Sequence, residues 1–311
     1  MLNVQDVLSS YESSTEEIKL EWPINEVRET IKKHKSVEKI KETSPNEFTR
    51  YCSDESISRY LRARNWNVKK AVKMLEASLI WRMNYKPEEI LWAETGKIYR
   101  ASYTDKSGRV VLVMRPSFQN STSTRTQVKY LVYCMENAIL NLGCDQEQMI
   151  WLIDFHGFSL SNISIKSTKE TAYILQEQYP ERLGLAILYN PPKFFEPFYK
   201  IVKPFLEPKT ANKVKFVYSN DQNTKTIMES LFCMDELESA FGGKVDESFD
   251  IKKYAERMTE DDAKRTVLYG RETCSDPNIN PNHTSKTIDT DSVTEADEEK
   301  ISTNDQKTNG S

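Results

Sequence analysis

The stretch LAILYNPPKFFEPFYKIVKPFLEPKTANKVKFVYSN, residues 185–220, decides how the chain is read. It opens on an apolar run, LAILYN, and closes on a β-rich run, KVKFVYSN, while the segment between them has a helical period. On a helical wheel Phe194, Phe195, Phe198, Ile201, Val202 and Phe205 share a broad face, and Lys193, Lys200 and Lys203 gather on another. Pro191, Pro192 and Pro197 suit the approach to such a helix and its first turn, and Pro204 predicts a kink or an end. Apolar runs separated by helices predict a sheet that contains parallel pairs and is covered by helices.

Working outward, the same alternation begins near Lys97. The runs KIYRASYT (97–104), RVVLVMRP (109–116) and MIWLIDFHG (149–157) read as strands, and helical patterns cover 126–142 and 167–178. Before Lys97 the period is helical only. Asp54 is a plausible N-cap for the helix that follows it. Asn67 is placed to cap a second helix, in which Val68, Ala71, Val72, Leu75 and Leu79 make one apolar stripe. With a shorter helix over INEVRETIKKH (24–34), this predicts an all-helical lobe from about Ile24 to Tyr85, in front of one α/β domain.

Composition limits the function classes. The basic run IKKHKSVEKIKE (31–42) reads as a solvated helix face. Residues 272–311 carry nine acids against Lys286, Lys300 and Lys307, so of the net charge of -4 the tail holds -6 and the body +2. A near-neutral body does not favour nucleic-acid binding. The tail is rich in Ser, Thr and acids and poor in large apolar residues, which predicts disorder. Five scattered cysteines with no CxxC spacing suggest reduced thiols and neither a disulfide framework nor a zinc site. The absence of a signal pattern and of a long apolar run leads to the expectation of a cytoplasmic protein.

An α/β sheet invites a search for catalytic parts. The glycines form neither GxGxxG nor GxxxxGK[ST], and no GxSxG elbow occurs. The best catalytic candidate is DFHG, with Asp154 and His156 just past an apolar strand. The competing and favoured reading makes Asp154 an acceptor for turn amides, Gly157 a turn residue and His156 an ordinary polar residue.

Three stretches taken together, SISRYLRARNWNVKKAVKMLEASLIWR, QEQYPERLGLAILYNPPKFFEPFYKIVKPFLEPKTANKV and AFGG, resemble the CRAL-TRIO family, especially its phosphatidylinositol-transfer branch and most closely its small plant members. The resemblance implies an α/β fold: an N-terminal helical lobe, then a lobe whose mixed sheet floors an apolar lipid pocket under a gating helix. That helix would carry Phe194, Phe195, Phe198, Ile201, Val202 and Phe205. It also implies a headgroup site at Arg64, Glu181, Thr210 and Lys213, where a phosphodiester would meet a cation and a hydroxyl. Members that also exchange phosphatidylcholine use serines and threonines where this chain has Met149, Trp151 and Leu175. The expectation is therefore a pocket lined there by apolar residues, with a sterol or another apolar molecule as second ligand.

The expected organisation is an N-terminal extension (1–23), the helical lobe (24–85), the lipid-binding domain (90–250), a C-terminal helical segment (251–271) and the tail (272–311). The expected function is non-enzymatic and needs no cofactor: phosphatidylinositol is cargo, membranes are visited transiently, and phosphoinositide kinases are candidate partners. The alternatives are a small-molecule enzyme using Asp154 and His156, or a lipid-sensing scaffold acting through the tail.

Overall fold

The computed structural model describes residues 21–87, 90, 96–246 and 249–268. Residues 1–20 of the expected extension and the whole acidic tail lie outside them.

The helical lobe consists of α1 (21–32), α2 (Glu38–Thr43), α3 (Pro45–Tyr51), α4 (Asp54–Ala63) and α5 (Val68–Tyr85). Ile31, Ile40, Ile57, Leu61 and Leu75 belong to its buried core. Lys32, Lys33, Lys35 and Lys39 of the basic run stay exposed, so its charged side is solvated while Ile31, Val37 and Ile40 turn inward. Asn67 caps α5, its side chain accepting from the Lys70 amide at 3.0 Å. The cap of α4 is Ser53, not Asp54: the Ser53 hydroxyl accepts from the Ser56 amide at 3.3 Å. Asp54 is the first helical residue, where its charge meets the positive end of the helix dipole and pairs with Arg28.

The second lobe is built on one sheet in the order β1 (Ile98–Thr104), β2 (Val110–Met114), β3 (Met149–Asp154), β4 (Leu183–Tyr189), β5 (Val214–Val217). β1 runs antiparallel to β2, and the other pairs are parallel. Every residue of β2 is buried, as a parallel strand covered on both faces requires. The crossovers are α6 (Thr124–Leu140), α7 (Ile165–Tyr173), and α8 (Phe195–Val202) with the short α9 (Pro208–Ala211); α10 (Gln222–Leu231) and α11 (Ile251–Leu268) follow β5. α7 does not continue as a regular α-helix to Gln178, because Ile174–Gln178 form a π-helical turn.

Two polar assemblies fix the layers. Between the lobes Arg82 of α5, 1% exposed, donates to Glu47 of α3 at 2.5 Å and to Glu136 of α6 at 2.7 Å. The Tyr179 hydroxyl donates to the same Glu136 oxygen at 2.6 Å. At the outer edge of the sheet the Arg100 amide of β1 donates to the Tyr254 hydroxyl of α11 at 2.9 Å, and the Arg257 guanidinium donates to the Arg100 carbonyl. Asp261, buried on the same helix, accepts from Arg100 at 2.6 Å, Asn137 at 3.0 Å and Asn141 at 3.1 Å.

Candidate functional site

Between the sheet, α7 and α8 lies a cavity of about 320 Å³, near the lower end of the roughly 300–1,000 Å³ range of small-molecule sites. Trp151 and Ile153 of β3 and Ala186 and Leu188 of β4 line it from the sheet. Strand alternation explains this, since residues two apart project to the same face. Leu175 lines the cavity from the π-turn. Met149, the third residue expected in the lining, does not: it lies at the start of β3 opposite Val110 and Leu183 and is fully buried.

α8 closes one side. Phe195, Phe198 and Val202 are buried against Phe155 and Leu188 and also line the cavity. The Phe195 and Phe155 rings meet edge-on with centroids 4.5 Å apart. The broad face read from the wheel divides in two, because Phe194, Ile201 and Phe205 are 36%, 56% and 42% exposed. The α-helix ends at Val202 and Lys203–Phe205 form a 3₁₀ turn around Pro204, which rotates Phe205 out of the register of a straight helix. Phe205 still reaches the cavity rim, where the Lys169 ammonium lies 4.2 Å from its ring centroid.

The polar candidates fall into two groups. Glu181 and Lys213 form an ion pair at 3.0 Å, and Thr210 lines the cavity from α9. Glu181 has φ +57°, a left-handed conformation costing a non-glycine residue about 1 kcal/mol or more. Arg182 beside it is held down at about 10, by burial first and then by the positive charges of Arg59 and Arg50. Arg64 belongs to the second group. It joins the lobes, but through Glu177 of the π-turn, bonded by both oxygens at 2.9 Å, and Glu207 at 2.9 Å, not through Glu181.

Gln176, next to Glu177, donates to the Phe205 carbonyl at 3.1 Å and accepts from the Glu207 amide at 2.6 Å. Lys209 donates to the Arg62 carbonyl at 2.7 Å. The π-turn thus holds the segment that follows α8, and the helical lobe bonds both. None of these partners was picked out from the sequence. Nor was the hydroxyl face of α7, where Ser164, Ser167, Thr168 and Thr171 line the cavity at helical spacing. That spacing is legible in SNISIKSTKET once the helix is known to face a cavity.

At DFHG the Asp154 carboxylate accepts the His156 amide at 2.9 Å, Gly157 has φ +71°, and His156 is exposed. These are the contacts of a turn. Among the described residues no cluster of His, Cys, Asp or Glu could hold a metal ion, and no helix is long and apolar enough to cross a membrane.

Comparison with known proteins agrees with this architecture. The CRAL/TRIO domain family matches residues 93–243, and the CRAL/TRIO N-terminal domain family matches 23–77. A CRAL-TRIO domain-containing protein of Schizosaccharomyces pombe is 35% identical over 217 residues, covering 68% of this chain and 21% of its own. The phosphatidylinositol transfer protein PDR17 of Saccharomyces cerevisiae is 32% identical, with 53% of each chain covered. The SEC14 cytosolic factor of Candida glabrata is 30% identical over 228 residues, covering 65% of this chain and 74% of its own. The chain thus spans about a fifth of the first of these relatives and about half of the second. The crystal structure of Sfh5 superposes with a TM-score of 0.53 at 21% identity, over 65% of this chain and 74% of that one, and shares the fold. On the two family matches and the similarity to the Candida glabrata factor, this chain belongs to the CRAL-TRIO family.

Proposed function

We propose that this protein carries phosphatidylinositol between membranes, holding the acyl chains in the cavity and the headgroup near Thr210, Lys213 and Glu181. The observation that carries the reading is the adjacency of an apolar cavity under α8 to Thr210 and the Glu181–Lys213 pair. The names of relatives such as PDR17 support it. A buried methylene is worth ~0.8 kcal/mol, so two acyl chains moved into water would cost tens of kcal/mol. A carrier must therefore exchange its cargo without exposing it. α8 is the gate in this reading: its buried face covers the cargo, and Ile201, Phe205 and the neighbouring lysines give it an interfacial surface on which to open. Transient membrane association, delivery of cargo to phosphoinositide kinases and a cytoplasmic site of action are parts of the same proposal.

The experiment is mass spectrometry of lipids retained after incubation with mixed phosphatidylinositol, phosphatidylcholine and sterol vesicles, comparing wild type with Thr210→Ala/Lys213→Ala. Phosphatidylinositol held by wild type and lost from the variant is the expected result. Wild type that emerges with sterol alone, or with nothing, overturns the headgroup assignment.

A further inference from the structure

A cavity built only for hydrocarbon needs no hydrogen-bonding groups on its walls, yet two walls of this one carry them. On the sheet side Trp151 is 6% exposed and its indole N–H has no acceptor. Leaving a buried donor unpaired is unfavourable, and native interiors rarely do so. Trp151 is one of the residues that line the cavity, so cargo is placed against the side chain that carries this donor. On the other wall stand the hydroxyls of α7. Ser164 accepts the Ser167 amide at 3.1 Å, Ser167 bonds Thr124 at 3.1 Å, and Thr168 donates to the Ser164 carbonyl at 2.8 Å. Thr171, on the same face, makes no side-chain hydrogen bond among the described residues.

We infer that the cavity recognises oxygen carried inside the apolar body of its cargo, with the Trp151 N–H as donor to an acceptor oxygen and the Thr171 hydroxyl as a second anchor. The cargo class is a lipid with a hydroxyl or carbonyl at mid-depth, away from the headgroup residues. The inference rests on the carrier reading. It deepens that reading by making Trp151 a selectivity residue, where the family resemblance implied only apolar lining. Two sources share the chemistry: the hydroxyl of a sterol and the ester carbonyl of a diacyl lipid.

The test uses the full chain and two matched pairs of probes: diester against diether phosphatidylinositol, and a sterol against its 3-deoxy analogue. Affinity for each is measured for wild type, Trp151→Phe and Thr171→Val. The oxygen-poor member of each pair absorbs any effect of lost side-chain volume, so the readout is the preference within a pair. Wild type should prefer the oxygenated member of at least one pair. Trp151→Phe should reduce that preference about tenfold, a loss of about 1.4 kcal/mol, and Thr171→Val should reduce it in the same direction. The pair that responds identifies the source. A preference unchanged by Trp151→Phe, or no preference in wild type, overturns this inference and leaves the carrier standing. Wild type that takes up none of the four probes overturns both.

Discussion

Replacing Arg82 by methionine removes a buried cation that bonds Glu47 in one lobe and Glu136 in the other, and the size of the effect follows from the geometry. Burial alone would raise the Glu136 carboxyl. The Arg82 charge and hydrogen bond, aided by Arg50 and the Tyr179 hydroxyl, instead hold it down at about 2 from an ordinary 4.5. A folded value below the unfolded one stabilises the fold fully above about pH 4.5, and that stability is lost as pH falls toward 2. The drop corresponds to about 3 kcal/mol, and removing one partner of a buried pair typically costs about 3–5 kcal/mol. For a body of this size each kcal/mol shifts the melting temperature by about 2–4 °C, so Arg82→Met should melt roughly 10 °C lower at pH 7. In the variant Glu136 is buried without its counter-charge and its pKa rises. The deficit should therefore shrink between pH 7 and pH 5, where wild type is unaffected by this group. Thermal unfolding followed by circular dichroism at both pH values measures this, with Arg82→Met/Glu136→Gln as the partner variant. A single variant that melts with wild type, or a double variant no more stable than the single one, would refute the argument.

Three further outcomes are expected. Phe205→Asp alters an exposed ring and should slow vesicle-to-vesicle lipid transfer with little change in melting, whereas Phe198→Asp, at a buried position, should lower both; transfer rates unaltered by either change would remove α8 as the gate. Arg64→Ala releases Glu177 and Glu207 together and should speed amide hydrogen exchange over residues 203–211; exchange at the wild-type rate there would show that the segment is held by other contacts. Deleting residues 272–311 should leave lipid transfer at the wild-type level, and loss of transfer would favour the scaffold reading.

The strands were legible because parallel strands buried on both faces leave continuous apolar runs, as VVLVM in β2 does. Asn67 was legible because a cap acts over three residues. The errors have different physical origins. Met149 was expected from correspondence with family members, which carries no information on burial, and the side chain is fully buried outside the cavity lining. A helical wheel assumes one straight α-helix, and the 3₁₀ turn after Val202 breaks that assumption for Phe205. The π-turn alters the winding of 174–178 without needing an unusual residue there. The partners of Arg64 lie 113 and 143 positions away, beyond any local pattern. Motif resemblance brought Arg64 and Glu181 to notice together, and the fold assigned them different neighbours.

The contact between α11 and β1 bears on how such a protein can be cut. A chain ended at residue 243, where the family match stops, would retain all five strands and lose Tyr254 and Arg257. Those two side chains occupy the backbone groups of Arg100 that a neighbouring strand would otherwise seek. The shortened chain would present a bare sheet margin to its own copies, a known route to aggregation. Protection of this sheet margin is thus supplied by a helix that lies outside the segment matched by the family.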